Sequence, residues 1–308
     1  MVDLELNVPD YFYEDETRCG FFVTKKRKQF WAVQLDLLFQ LQKICEKYHL
    51  KYYALGGTLL GAVRHKGYIP WDDDIDIIMP RNDYDQFISL AQQELREPYF
   101  ISYTLSEKSC FKRHITLHNC QTTGYKIGSK NCSNCKGISI DIMPMDVVPS
   151  TLEERIVHRK EIKKITKWAD RKRSFQGRLG GDINLVLLMK YILSSVIVHT
   201  DNYDDIFYNF EKVLKKYNNM NTGYIGHASI SYRERGIWPV SWYEKSELID
   251  FEFMKINVPS EYMKILYQYF GKDCMEIPDL TNLPPSDHTE IIYDTDVSFT
   301  KYFNWSKR

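Results

Sequence analysis

The chain has 308 residues, with 41 Lys plus Arg set against 41 Asp plus Glu and an apolar share of 44%. That length suits one large domain or two small ones, with enough apolar material for a substantial core. The balanced charge excludes the basic excess of a general nucleic-acid binder, while local basic patches remain open.

In chain order, the opening MVDLELNVPDYFYEDE is acidic and has neither a positive n-region nor an apolar h-region, so it is not a signal peptide. Residues 1–23 read as an irregular arm. Residues 28–48 place Phe30, Val33, Leu37, Leu41, Ile44 and Tyr48 at helical spacing, which predicts an amphipathic helix. Residues 51–55 read as a short strand, 58–65 as a helix, 74–79 as a strand and 82–95 as a helix. Residues 110–127 read as strands around a turn. Residues 137–143 alternate as a strand, and Pro144 is expected to end it. Helices are expected over 151–173, 183–199 and 203–218. The last ninety residues mix aromatics, short helices and prolines. No linker-like stretch divides the chain, so a single unit over 1–308 is expected. The stretch Ile183 to Val198 contains Asn184 and Lys190 and falls short of a membrane span. Seven cysteines suit a reducing cytoplasm better than a secreted disulfide framework.

The most informative segment is LGGTLLGAVRHKGYIPWDDDIDIIM, residues 55–79. Gly56 and Gly57 lack Cβ atoms, so their amides can approach an anion closely. Thr58 is placed to cap a helix beginning at Leu59, and a helix N-terminus is a ready phosphate site. Arg64 can reach a phosphate or carboxylate as a fixed fork. In a strand Asp74 and Asp76 share one face, and two such carboxylates repel unless a cation sits between them. Hard divalent cations take oxygen ligands of this kind together with substrate phosphates. Asp72 and Asp73 read as part of the preceding turn. Asp141, flanked by isoleucines, is costly in a buried strand unless paired with a cation or hydrogen-bonded. Asp146 is placed near that strand's end.

The run GGTLLGAVRHKGYIPWDDDIDI, followed by IDIMPMD, closely resembles the LicD family, which includes bacterial phosphocholine transferases and is related to fukutin and fukutin-related protein. The run from Phe251 to Pro278 looks like the family's tail pattern, with Phe270-Gly271 where Tyr-Gly is common, and His288 is placed as its closing histidine. The resemblance covers roughly residues 28–290. It implies an α+β fold: a nucleotidyltransferase-like mixed sheet of the polymerase-β type over 28–148, and a mostly helical remainder over 149–308. It also implies a transferase that uses Mg²⁺, with Mn²⁺ as the alternative ion. The reaction would move phosphocholine from CDP-choline to a hydroxyl of a cell-surface glycan precursor (teichoic acid, lipopolysaccharide or capsule). Family metal ligands carry over onto Asp74, Asp76 and Asp141, and the glycine motif onto Gly56, Gly57 and Thr58, with Arg64 helping to bind the diphosphate. Asp141 is the first choice for the base that takes the hydroxyl proton. The partners implied are a CDP-linked donor and a glycan or lipid-linked glycan acceptor, with no nucleic acid. Three alternatives stand beside this: transfer of another CDP-linked alcohol phosphate such as a polyol phosphate, true nucleotidyl transfer in which NMP is kept and pyrophosphate is lost, and an inactive glycan-binding relative.

Other features have plainer readings. Cys110, Cys120, Cys132 and Cys135 could hold zinc, but their spacing is irregular and free thiols are expected first. His114 and His118 lack convergent ligand spacing, and His65 could touch substrate. Lys112 and Arg113 could meet a phosphate or simply be solvated. Trp238, Trp242 and Tyr243 could stack on sugar or choline, although core packing is the commoner fate. Residues 155–173 hold nine Lys or Arg against two acids. They form either a solvated helix packed by its apolar stripe or an interfacial helix meeting anionic lipid. The sharper reading places a cytoplasmic protein in peripheral contact with the inner face of the membrane.

Overall fold

The computed structural model describes residues 1–107, 110–126, 134–176, 189, 202–229, 233–280, 291–305 and 307. A ribbon of β1 (Glu16–Arg18) and β2 (Phe21–Val23) leads into α1 (Lys25–Tyr48). Thr24 caps that helix by accepting from Arg27 N, and His49 ends it in the left-handed region at φ 56°. Next come β3 (Tyr53–Ala54), α2 (Gly56–His65), β4 (Asp76–Pro80), α3 (Arg81–Glu94), β5 (Tyr99–Ser102) and β6 (Ile115–Asn119). Then follow β7 (Thr123–Lys126), β8 (Ile138–Val147), α4 (Leu152–Gln176) and α5 (Tyr203–Leu214). The chain continues through β9 (Tyr224–Gly226), β10 (Ile237–Pro239), β11 (Ser246–Phe251), β12 (Met254–Pro259), α6 (Tyr262–Phe270) and β13 (Ile291–Asp294).

Seven strands form one mixed sheet, and β8 is its axis. Along one edge β8 runs parallel to β4. It also pairs antiparallel with β6 through residues 138–142 and with β9 through Asp146 and Val147. Two apolar clusters flank this frame. The larger joins α1, α2 and α3 to the sheet around Trp31, Leu37, Ile77, Phe87 and Ile142. The smaller joins α4 and α5 around Ile162, Trp168, Ile206 and Phe210.

The expected elements are present among the described residues with shifted ends, and four differences have physical causes. First, α2 begins at Gly56 rather than Leu59, so Thr58 lies inside the first turn and is not its cap. Second, β4 begins at Asp76, so Asp74 belongs to the turn before it. Third, β8 continues through Pro144. That proline falls between the end of the β6 pairing at Ile142 and the start of the β9 pairing at Asp146, where its missing N–H costs no ladder bond. Fourth, the described part of the second half is not uniformly helical, since β9 to β13 follow α5. The helix expected over 183–199, and His288, lie outside the described residues.

Candidate active site

The start of α2 is built around its two glycines. Gly56 has φ +55°, and a Cβ there would meet Asp76 Oδ2 at 3.5 Å. At Gly57 a Cβ would come within 2.5 Å of Asp72 Oδ2. The glycines therefore admit two carboxylates to the N-terminal end of a helix, where the helix dipole favours negative charge. Leu55 N donates to Asp76 O (2.9 Å), and Asp76 N donates to Thr58 Oγ1 (2.8 Å). Thr58 thus ties the helix start to the first residue of β4.

Asp76 and Asp141 are register partners on the parallel strands β4 and β8. Neighbouring strands lie about 4.8 Å apart, and paired residues present their side chains to one face. Asp141 N also donates to Ile75 O (2.9 Å), which locks the pairing at its start. One oxygen each from Asp72, Asp73 and Asp74 lies within 4.8 Å of the others, the one set of three potential ligand residues that close among the described residues. The expected triad of Asp74, Asp76 and Asp141 is drawn from three different places, the turn, the start of β4 and the middle of β8, and Asp76 and Asp141 lie outside that close set. A cavity of about 200 Å³ reaches Asp74 and Asp141 and is also lined by Lys112, Thr116, His118 and Tyr125.

Helix α1 holds the aspartate turn. Trp31 Nε1 and Arg27 Nη1 both donate to Asp72 O, at 3.2 and 3.1 Å. Gln34 Nε2 donates to Asp73 O (2.9 Å) and to Ser139 O on β8 (3.1 Å), bridging the two acidic segments. Tyr68 OH donates to Gln34 Oε1, and its ring stacks on Trp31 at 4.5 Å. Sequence reasoning missed this scaffold. The available signal was a buried-side Gln and Trp inside an otherwise apolar helical stripe.

His114 Nε2 lies 3.5 Å from Asp141 Oδ2, and its Nδ1 is buried without a hydrogen-bond partner. Burial works against ionisation of Asp141, but His114 first, then Lys112 and His118, outweigh it and hold its pKa below the usual aspartate value. Asp141 is therefore ionised at neutral pH. Lys112 Nζ bonds Thr116 Oγ1 (2.9 Å) and Ser102 Oγ, and it lies 3.5 Å from the fully buried Glu107. His118 is held by Thr116 Oγ1 (2.7 Å) and Gly137 O (2.8 Å). Arg113 pairs with Asp170.

Arg64 Nη1 donates to Cys274 O (2.7 Å) and Glu276 O (2.9 Å), so this arginine grips the C-terminal segment. Its Nε faces His65 Nε2 at 2.9 Å. Burial, then Arg64 and Arg18, push the His65 pKa down to about 4, which leaves the ring neutral at pH 7 and able to accept that bond. Trp238 and Tyr243 are buried and belong to the core, and Trp242 is partly buried against it. Cys120 Sγ and Cys135 Sγ lie 3.8 Å apart, Cys110 is half-buried, and Cys132 lies outside the described residues.

A mixed sheet that presents carboxylates from adjacent strands beside a glycine-lined helix start is suited to gripping a hard divalent cation next to a phosphate. The comparisons bear on the phosphate side of that reading. Residues 49–170 match the LicD/FKTN/FKRP nucleotidyltransferase domain. The lipopolysaccharide cholinephosphotransferase LicD of Haemophilus influenzae is 27% identical over 256 residues, 80% of this chain and 90% of that protein. Two uncharacterized proteins, of Rickettsia prowazekii and Rickettsia typhi, are 39% identical over 79 and 84 residues. Those matches span 24% and 26% of this chain and 30% and 27% of theirs. The family match lies over residues 49–170, the segment that holds Gly56, Gly57, Asp74, Asp76 and Asp141.

Proposed function

We propose that the chain is a Mg²⁺-dependent transferase that moves phosphocholine from CDP-choline to a hydroxyl of a cell-surface glycan precursor. The observation that carries this reading is the Asp76–Asp141 register pair beside the glycine-lined start of α2, inside the segment that matches the family domain. The lipopolysaccharide-directed relative supports the class of group moved and the class of acceptor. The donor set is all carboxylate oxygen, which suits Mg²⁺ or Mn²⁺.

In this reading Asp74, Asp76 and Asp141 would hold the ion, with Asp72 and Asp73 beside them. When bound, the ion offsets negative charge on the donor's diphosphate. Gly57 leaves room for the Asp72 carboxylate, Gly56 takes the left-handed backbone conformation beside Asp76, and Thr58 fixes the main chain of Asp76. Arg64, whose expected role is to help bind the diphosphate, has its Nη1 engaged by the main chain of Cys274 and Glu276. Asp141, ionised and steadied by His114, takes the proton of the attacking hydroxyl. The new P–O bond forms to the glycan oxygen, the bond to CMP breaks, and CMP leaves with the electron pair.

The test is CMP release from CDP-choline with Mg²⁺ and candidate glycans. Asp74→Asn and Asp76→Asn should each lower turnover by at least about a thousandfold while leaving the circular dichroism spectrum unchanged. Near-normal turnover in either variant would refute the assignment. Release from a CDP-polyol but not from CDP-choline would shift the reading to the polyol phosphate alternative. No turnover with either donor would favour an inactive glycan-binding relative.

A further inference from the structure

Helix α4 buries one face and leaves the other open. Ile162, Trp168 and Ala169 pack into the smaller core. At about 100° per residue, the exposed side chains from Ile156 to Lys167 fall together on a single arc of the opposite side. At its N-terminal end that arc carries Leu152, Ile156 and Val157, which are 52%, 40% and 53% exposed. Lys160, Lys163, Lys164 and Lys167 continue it, all exposed, and none makes an ion pair with a described residue. The exposed Glu153 and Glu154 stand in the first turn; from Arg155 to Ala169 the single acid is Glu161, and it is bonded to Lys216. No described helix is long and apolar enough to cross a membrane.

We infer that this face of α4 docks on an anionic lipid surface, with the lysines at the headgroups and Leu152, Ile156 and Val157 entering the interface. The apolar residues decide between polyanions. They gain by entering a headgroup boundary, whereas a nucleic-acid backbone offers them nothing. Overall charge is zero, so the attraction is local to this helix and does not arise from the whole molecule. The Arg113–Asp170 ion pair fastens the far end of the helix to the loop that carries His114. Docking would therefore hold the neighbourhood of Asp141 at a fixed place relative to the membrane.

The experiment is flotation of the full chain with vesicles of phosphatidylcholine alone or with about a third phosphatidylglycerol, at low and high salt. The protein should float with the anionic vesicles only, and less at high salt. Each lysine near such a surface contributes about fivefold to partitioning, so Lys160→Gln, Lys163→Gln, Lys164→Gln and Lys167→Gln together should lower recovery by more than about a hundredfold. Leu152→Ser, Ile156→Ser and Val157→Ser together should weaken binding at both salt concentrations, because that contribution is not screened. All seven positions are exposed, and circular dichroism checks that each variant is folded. Equal flotation with neutral vesicles, no flotation with anionic ones, or unchanged recovery of the lysine variant would each overturn the inference. So would tight binding to single-stranded RNA together with no binding to vesicles.

Discussion

A methyl group at Gly57 would stand 2.5 Å from Asp72 Oδ2, far inside the normal carbon–oxygen contact distance. The helix start cannot give way easily, because Leu55 and Thr58 are both bonded to the main chain of Asp76. The carboxylate must then move, and a displacement of about 1 Å near reacting groups can cost about a hundredfold in rate. Gly57→Ala should therefore lower CMP release by roughly that factor, raise the Mg²⁺ concentration needed for half-maximal rate, and leave the melting temperature within a few degrees of wild type. A variant with ordinary Mg²⁺ dependence would show that Asp72 plays no part in the site. The glycine pair was legible in the sequence as a place of close approach. What approaches was not, because nothing local says that the carboxylate of Asp72 folds back onto a residue fifteen positions earlier. The same holds for Gln34, whose bridge between Asp73 and Ser139 exists only once α1 lies across both segments.

Strand β8 shows how far alternation carries a reading at the scale of elements. The pattern Ser139-Ile140-Asp141-Ile142 was enough to place a strand and to mark Asp141 as a polar group among apolar neighbours. Its pairing with Asp76 was not readable, since parallel register depends on α3, β5 and β6 returning the chain to the correct height. A second polar element beside it was missed altogether. Glu107 is fully buried and accepts from Ser102 Oγ, Cys135 N and Trp305 Nε1 (2.9 Å), with Lys112 Nζ at 3.5 Å. Burial opposes its ionisation, but Lys112 and then Ser102 outweigh that and lower its pKa below the usual glutamate value. A depressed folded-state pKa stabilises the protein above the unfolded value of about 4.3, and the contribution is lost as pH falls through the folded value. Glu107→Gln should thus destabilise by about 3 kcal/mol at neutral pH, because it leaves the Lys112 ammonium without its charge partner. The difference between the two proteins should shrink steadily below about pH 4. Urea unfolding of both across that range measures it, and a gap that stays constant with pH would contradict the assigned ionisation.

At the scale of the whole molecule, the two apolar clusters are joined across the sheet by one arginine. Arg81, at the start of α3, forms a two-pronged bond to Asp146 on β8, at 2.7 and 2.6 Å. Its third nitrogen reaches Glu211 on α5 at 2.8 Å. The side chains of Arg81 and Asp146 are 6% and 0% exposed, and Asn218 Nδ2 supplies a further bond to Asp146 (2.8 Å). The aspartate was legible as a residue near a strand end, but its partner, 65 positions away, was not. Three elements from different parts of the chain therefore depend on the charges of this group. A buried pair of this kind contributes little net stability when complete, since desolvation cancels most of the attraction, but loss of one member strands the other. Arg81→Met should cost about 3–5 kcal/mol, and Asp146→Leu a similar amount. The double variant Arg81→Met/Asp146→Leu should recover part of that loss, giving a coupling of about 1–3 kcal/mol in a double-mutant cycle. Glu211 keeps Lys215 at 3.2 Å, so it is not left bare when the arginine is removed. Equilibrium urea unfolding of the four proteins reads the cycle. Strict additivity would mean that the pair does not act as a unit, and that the smaller cluster is held to the sheet by apolar packing alone.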